Sequence, residues 1–219
     1  MSSLSEFDRA PDEPHRLNRR AIPDVAVTDH EGRVSRFYRD LVRDRIVLIA
    51  FMSIAHERHY PVTPKLAEVR ALLDRGPGAM TQIYAITVDP ENDTQRRLAA
   101  QASRSGAGPG LLLLRAGREE TEALRGALFV RRGAGADPGE RRLYRRADLL
   151  RISPERAVMD CSLGLLRYGN ERLDIWGGVP ARAAARDIAQ RIDWINDALC
   201  RASDSQPRRR AGPRPLLTV

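Results

Sequence analysis

Two β-branched apolar runs, "RIVLIAF" at 45–51 and "QIYAITV" at 82–88, constrain this chain more than any other feature. Each has the length of a strand buried on both faces, and such strands belong inside a parallel sheet covered by helices. Between them "TPKLAEVRALLDRGPG" sets Leu66, Val69, Leu72 and Leu73 at helical spacing. Thr63 is the expected N-cap, Pro64 suits the first helical position, and Gly76 with Pro77 ends the helix. The unit is βαβ, and the chain is an α/β protein.

The flanking segments extend that unit in both directions. "VAVTDHEGRVSRFY" alternates on either side of a turn at His30 to Gly32 and predicts a small N-terminal β-hairpin, with His30 a solvent-exposed turn residue. "DTQRRLAAQAS" predicts a helix capped by Asp93 or Thr94, "GLLLLRA" a short strand, and "REETEALRGALF" another helix. "RRGAGADPGERRLYRR" has the composition of a loop, and "DCSLGLLRYGNERLDIW" that of two antiparallel strands turning at Gly169 and Asn170. "ARDIAQRIDWINDAL" carries Ile188, Ile192, Ile195 and Leu199 on one face, as a helix packed on a sheet would. Trp176 and Trp194 are expected in the core or at its rim. This order of elements is thioredoxin-like: a central mixed β-sheet flanked by helices, with the hairpin in front.

At 219 residues the chain suits one domain, expected over 21–201. Residues 1–20 and 202–219 lack apolar periodicity, and we expect a flexible N-terminal segment and a disordered Arg/Pro-rich tail. No apolar run approaches the about 20 residues of a membrane-spanning helix. The N-terminus mixes acids with bases and has no apolar core of a secretory signal, so the expected address is cytoplasmic as written. The net charge is +8, yet Lys65 is the single lysine, which leaves 36 scattered arginines with little aromatic interleaving. That pattern does not predict specific nucleic-acid binding. Cys161 and Cys200 are too few for a disulfide scaffold, and we expect two reduced, partly buried thiols.

Four stretches carry a further signal: "SRFYRDLVRDRIVLIAFM", "TVDPENDT" at 87–94, "GAGPGLLLL" at 107–114 and "GLLRYGNERLDIWGGVPA" at 164–181. In this order and spacing they resemble the Sco/SenC family, thioredoxin-fold proteins that bind copper and serve cytochrome oxidase assembly. The resemblance spans roughly residues 22–196 and implies copper as the metal, a protein partner in oxidase assembly, and action outside the cytoplasm from a membrane tether. No oligomeric state is legible in it. The family's centre is a CxxxCP motif after the first core strand, completed by a distant histidine. Matching Pro61 to the motif's proline puts His56 at the first cysteine and Tyr60 at the second. The distant histidine falls on Cys161 or Ser162.

Histidine and tyrosine form no disulfide, so thiol–disulfide catalysis by this pair is excluded. Metal binding is not excluded by the exchange: His56 and His59 are three apart, so on a helical turn their imidazoles can share one face, and if the late strand brings Cys161 to them the three make a two-nitrogen, one-sulfur set suited to copper or, alternatively, zinc. The competing expectation is that "HERHY" is a solvated helix entrance holding no metal, with Glu57 a favourable charge near a helix N-terminus and Tyr60 a packing residue. Asp89 to Thr94 are expected to shape the turn after the second strand and to cap the next helix. Two other functions fit the residues: a thiol enzyme using Cys161 alone, and an interaction module binding an acidic partner through its arginine-rich surface.

Overall fold

The computed structural model describes residues 22–128, 161–173 and 175–204, without the side chains of 161, 162 and 202–204. At its centre is the βαβ unit: β3 (Ile46–Met52), α1 (Val62–Leu73) and β4 (Gln82–Thr87). β3 and β4 are parallel, in the register Val47↔Gln82 to Met52↔Thr87. All seven residues of β3 are buried, because the strand is covered on both faces. Its alternate side chains supply two separate cores. Ile46, Leu48, Ala50 and Met52 pack with Leu66 and Val69 of α1 and with Ile188, Ile192 and Ile195 of the last helix. Val47, Ile49 and Phe51 pack with Phe37, Val42, Leu124 and Trp176 on the other face.

The hairpin is β1 (Ala26–Asp29) with β2 (Val34–Arg36), and it is followed by a short helical turn, Phe37–Val42. After β4 come α2 (Gln95–Ser105), β5 (Leu111–Arg115), α3 (Arg118–Leu128), β6 (Leu165–Asn170), β7 (Ile175–Pro180) and α4 (Ala185–Asp204). The seven strands form one mixed sheet in the order β2-β1-β5-β4-β3-β6-β7. β5 runs parallel to β4, whereas β1 and β6 run antiparallel to β5 and β3. The mixed sheet, its helices and the N-terminal hairpin are those expected from the sequence. The expected loop at 131–146, residues 1–20 and nearly all of the expected tail lie outside the described residues; α4 itself continues to Asp204.

Several local expectations are corrected. Gly169 and Asn170 do not make the β6–β7 turn, since both belong to β6, paired with Trp176 and Ile175. A Cβ at Gly169 would sit 2.7 Å from the Trp176 ring and would also meet the Ile175 carbonyl oxygen, so glycine is there for close approach. Asn170 donates to the Arg45 carbonyl (3.1 Å) and accepts from the Leu173 N–H (2.9 Å), tying β6 to the start of β3 and to the true turn that begins at Glu171. His30 is half-buried, and its Nδ1 accepts from the Leu113 N–H (3.3 Å), so it continues the β1–β5 pairing instead of standing in solvent. Cys200 is exposed on α4. Trp176 is in the core, but Trp194 is 54% exposed.

Candidate functional site

β3 ends by delivering its chain into a polar turn. Ser53 follows the strand, Ile54–His56 make one 3-10 turn, and α1 begins at Val62. Three hydrogen bonds from side chains hold this connection together. The buried carboxylate of Asp93 accepts from the Ile54 N–H (3.2 Å) and from the Thr87 hydroxyl (2.6 Å), so one side chain joins the ends of β3 and β4. The third runs between His56 Nδ1 and Ser53 Oγ, 3.0 Å apart. That contact occupies Nδ1 and leaves Nε2 as the ring nitrogen available to an outside ligand.

Glu57 turns inward. Its Oε1 accepts from the Thr63 N–H (3.1 Å) and from the Thr63 hydroxyl (2.6 Å). The residue expected to cap α1 is thus itself capped: Thr63 is fully buried inside the first turn, Pro61 holds the N-cap position without a side-chain bond, and Glu57 serves the Thr63 amide. Glu57 therefore stands at the helix N-terminus as expected, but it serves there as a buried hydrogen-bond acceptor and not as an exposed favourable charge. Burial pushes its carboxyl above the usual carboxylate range, the Thr63 hydrogen bonds oppose this, and the Asp93 carboxylate adds to the rise. Its Oε2 is buried with no hydrogen-bond partner among the described residues.

His56 and His59 are both exposed, on one turn closed by hydrogen bonds from the His59 N–H and the Tyr60 N–H to the His56 carbonyl (2.9 Å each). Tyr60 is half-buried and packs against the α1–α4 core, as a packing residue would. Lys65 stands in the first turn of α1, its ammonium 3.5 Å from Glu68. Cys161 opens the 3-10 turn Cys161–Gly164 just ahead of β6. Because Leu166 pairs with Ala50, the segment before β6 runs toward the end of β3 that carries His56, and the Cys161–Gly164 turn lies against that strand. The Cys161 side chain lies outside the described atoms. Among the described residues, no group of three or more His, Cys, Asp or Glu side chains is placed to hold a metal.

The segment after β4 follows expectation in part. Thr94 takes the N-cap of α2, accepting from the Arg97 N–H (3.4 Å), while Asp93 serves β3 and β4. Both Asp89 oxygens accept from the Asn92 amide at 3.0 Å, which shapes the turn. Ser53 and Asp93 are the positioning residues that sequence reasoning missed. Ser53 could have been noticed three residues before His56; the link from Asp93 to Ile54 spans 39 residues and has no local signal.

No protein-family model matches the chain, and no curated protein matches it in sequence. Solved structures do. BsSco, described as a member of the Sco family of cytochrome c oxidase assembly proteins with a disulfide switch, superimposes with a TM-score of 0.58 at 13% identity, covering 84% of this chain and 96% of its own. A SCO1/SenC family lipoprotein from Bacillus anthracis gives 0.57 at 11% identity, covering 85% and 99%. Copper-bound ScoI from Arabidopsis thaliana gives 0.54 at 11% identity, covering 81% and 99%. The fold is Sco-like. At these identities the likeness is one of architecture, and within this Sco-like fold the β3–α1 connection carries imidazoles and a phenol in "HERHY".

Proposed function

We propose that this chain is a Sco-like copper-handling protein related to cytochrome oxidase assembly, working by binding and not by thiol exchange. The observation that supports it is the pair of exposed imidazoles, His56 and His59, on the β3–α1 turn of a Sco-like fold. Imidazole nitrogen suits Cu(II) and Zn(II), whereas Cu(I) prefers the soft thiolates absent from this turn. His56 fits such a role, with Nδ1 engaged by Ser53 and Nε2 left to a ligand. His59 is the second nitrogen donor, and Cys161 the candidate third ligand, supported by the side of β3 from which its turn approaches. The metal is cargo, to be passed to a protein partner.

Calorimetric titration with Cu(I), Cu(II) and Zn(II) tests this directly. Saturable binding of Cu(II) or Zn(II) is expected, weakened at least about tenfold by His56→Ala with His59→Ala, since losing a ligand forfeits a metal bond. Cys161→Ser then shows whether sulfur takes part. Absence of binding in the native chain, or binding indifferent to the two histidines, sinks the metal reading.

A further inference from the structure

Exposed arginines lie on the β3–α1 turn and on the helix start tied to it, and the turn's one acid is hidden. In "AHERH" the acid, Glu57, is folded under the turn onto Thr63, so its charge is not presented beside its neighbours. Arg58 is exposed, as are the rings of His56 and His59, and among the described residues Arg58 has no carboxylate partner. The start of α2 is held against the same turn by the Ile54–Asp93 hydrogen bond. It adds Arg96, exposed and likewise without a carboxylate partner among the described residues, and the half-exposed Arg97, whose guanidinium donates to the Asn92 carbonyl (2.8 Å) and lies 3.9 Å from the buried Asp93 carboxylate. The acids on that side are engaged: Asp89 by Asn92, Asp93 by Ile54, Thr87 and Arg97, and Glu91 by Arg118 at 3.2 Å.

From this arrangement we infer that the rim formed by Arg58, Arg96 and Arg97 around the imidazoles is a docking surface for an acidic segment of a partner protein. A small anion is the poorer fit, because the arginines are spread over a turn and a helix start. Two open depressions among the described residues, about 260 and about 450 Å³, lie at the opposite end of the sheet, beside Tyr38 and Glu171 and beside His30 and Gln82. A membrane is the poorer fit as well, since the large exposed apolar residues Val34, Met80 and Trp194 belong to other elements. An extended chain of carboxylates matches separated guanidinium groups, which steer such partners and fix their register. The surface is independent of whether a metal binds, although a partner docked there would face His56 and His59.

The test is fluorescence anisotropy of a labelled peptide of alternating Glu and Ser, in metal-free buffer, with the full chain. Arg58→Glu with Arg96→Glu is expected to weaken binding at least about tenfold, and the corresponding lysine pair to retain most of it. Arg43→Glu with Arg172→Glu makes the same change in net charge at the far end and is expected to cost less than about threefold. Unchanged thermal unfolding midpoints show that the variants are folded. Equal losses from both reversals, no peptide binding by the native chain, or equally tight and equally Arg58-dependent binding to phosphatidylserine vesicles each overturn the inference. Because metal is excluded, failure here leaves the metal reading standing, and failed metal titration leaves this surface standing.

Discussion

At the residue scale, Glu57 carries the most distinctive chemistry of the turn. Its carboxyl is raised by burial above the value it has in an unfolded chain, so the sign of its pH effect is fixed. Below the unfolded value of 4.5 it is protonated in both states and costs nothing. As pH rises through the higher folded value, the unfolded chain releases the proton first, and stability is lost across that window. Glu57→Gln should remove this loss: denaturant midpoints of the variant should stay level over the interval in which those of the native chain fall. A parallel fall in both proteins would assign the effect to another group. Part of this was legible, since an acid ahead of an apolar helix suggests a role at its N-terminus. The direction of capping was not, because Thr63 and Glu57 could each serve the other, and only the burial of Thr63 decides which does.

At the scale of elements, the connections depend on side chains acting across the sheet. Asp93 joins β3 to β4 through Ile54 and Thr87, and its loss removes the acceptor of a part-buried N–H and a buried hydroxyl together. Asp93→Ala is expected to destabilise the fold by about 2–4 kcal/mol, and Asp93→Asn by less, because an amide oxygen still accepts. Equilibrium unfolding of the two variants measures this; equal costs would mean that packing, not acceptance, is what Asp93 provides. The strands and helices themselves were readable from apolar period and turn residues. Gly169 and Asn170 were misread because Gly and Asn together are the commonest local sign of a tight hairpin. Here the glycine admits the Trp176 ring and the asparagine reaches Arg45, both contacts that only the assembled sheet supplies.

Across the whole molecule, the sheet separates two ends of different character. One bears the exposed imidazoles and Arg58 with the start of α2, the other the open depressions beside Tyr38 and beside His30. The order of elements made this architecture legible, because a central βαβ fixes where a strand meets a helix. The chemistry at that junction was legible only by position: spacing relates His56 to His59, but nothing local relates either to Cys161. The thiols can be told apart in the folded chain. Cys200 is exposed on α4, so a disulfide reagent should modify it rapidly, and in Cys200→Ser the remaining labelling reports Cys161 alone. An apparent pKa near or above about 8.5 for that residual thiol would mark it as an ordinary cysteine, against the single-thiol enzyme.

Lys65 gives the molecule a property useful beyond its pairing with Glu68. It is the chain's only ε-amine, and it stands in the first turn of the helix that the candidate turn leads into. Apart from the α-amino group, an amine-directed cross-linker can therefore start at a single place, the first turn of α1. A partner captured through that lysine would be mapped to the β3–α1 end by one modified peptide, with no library of engineered attachment points required.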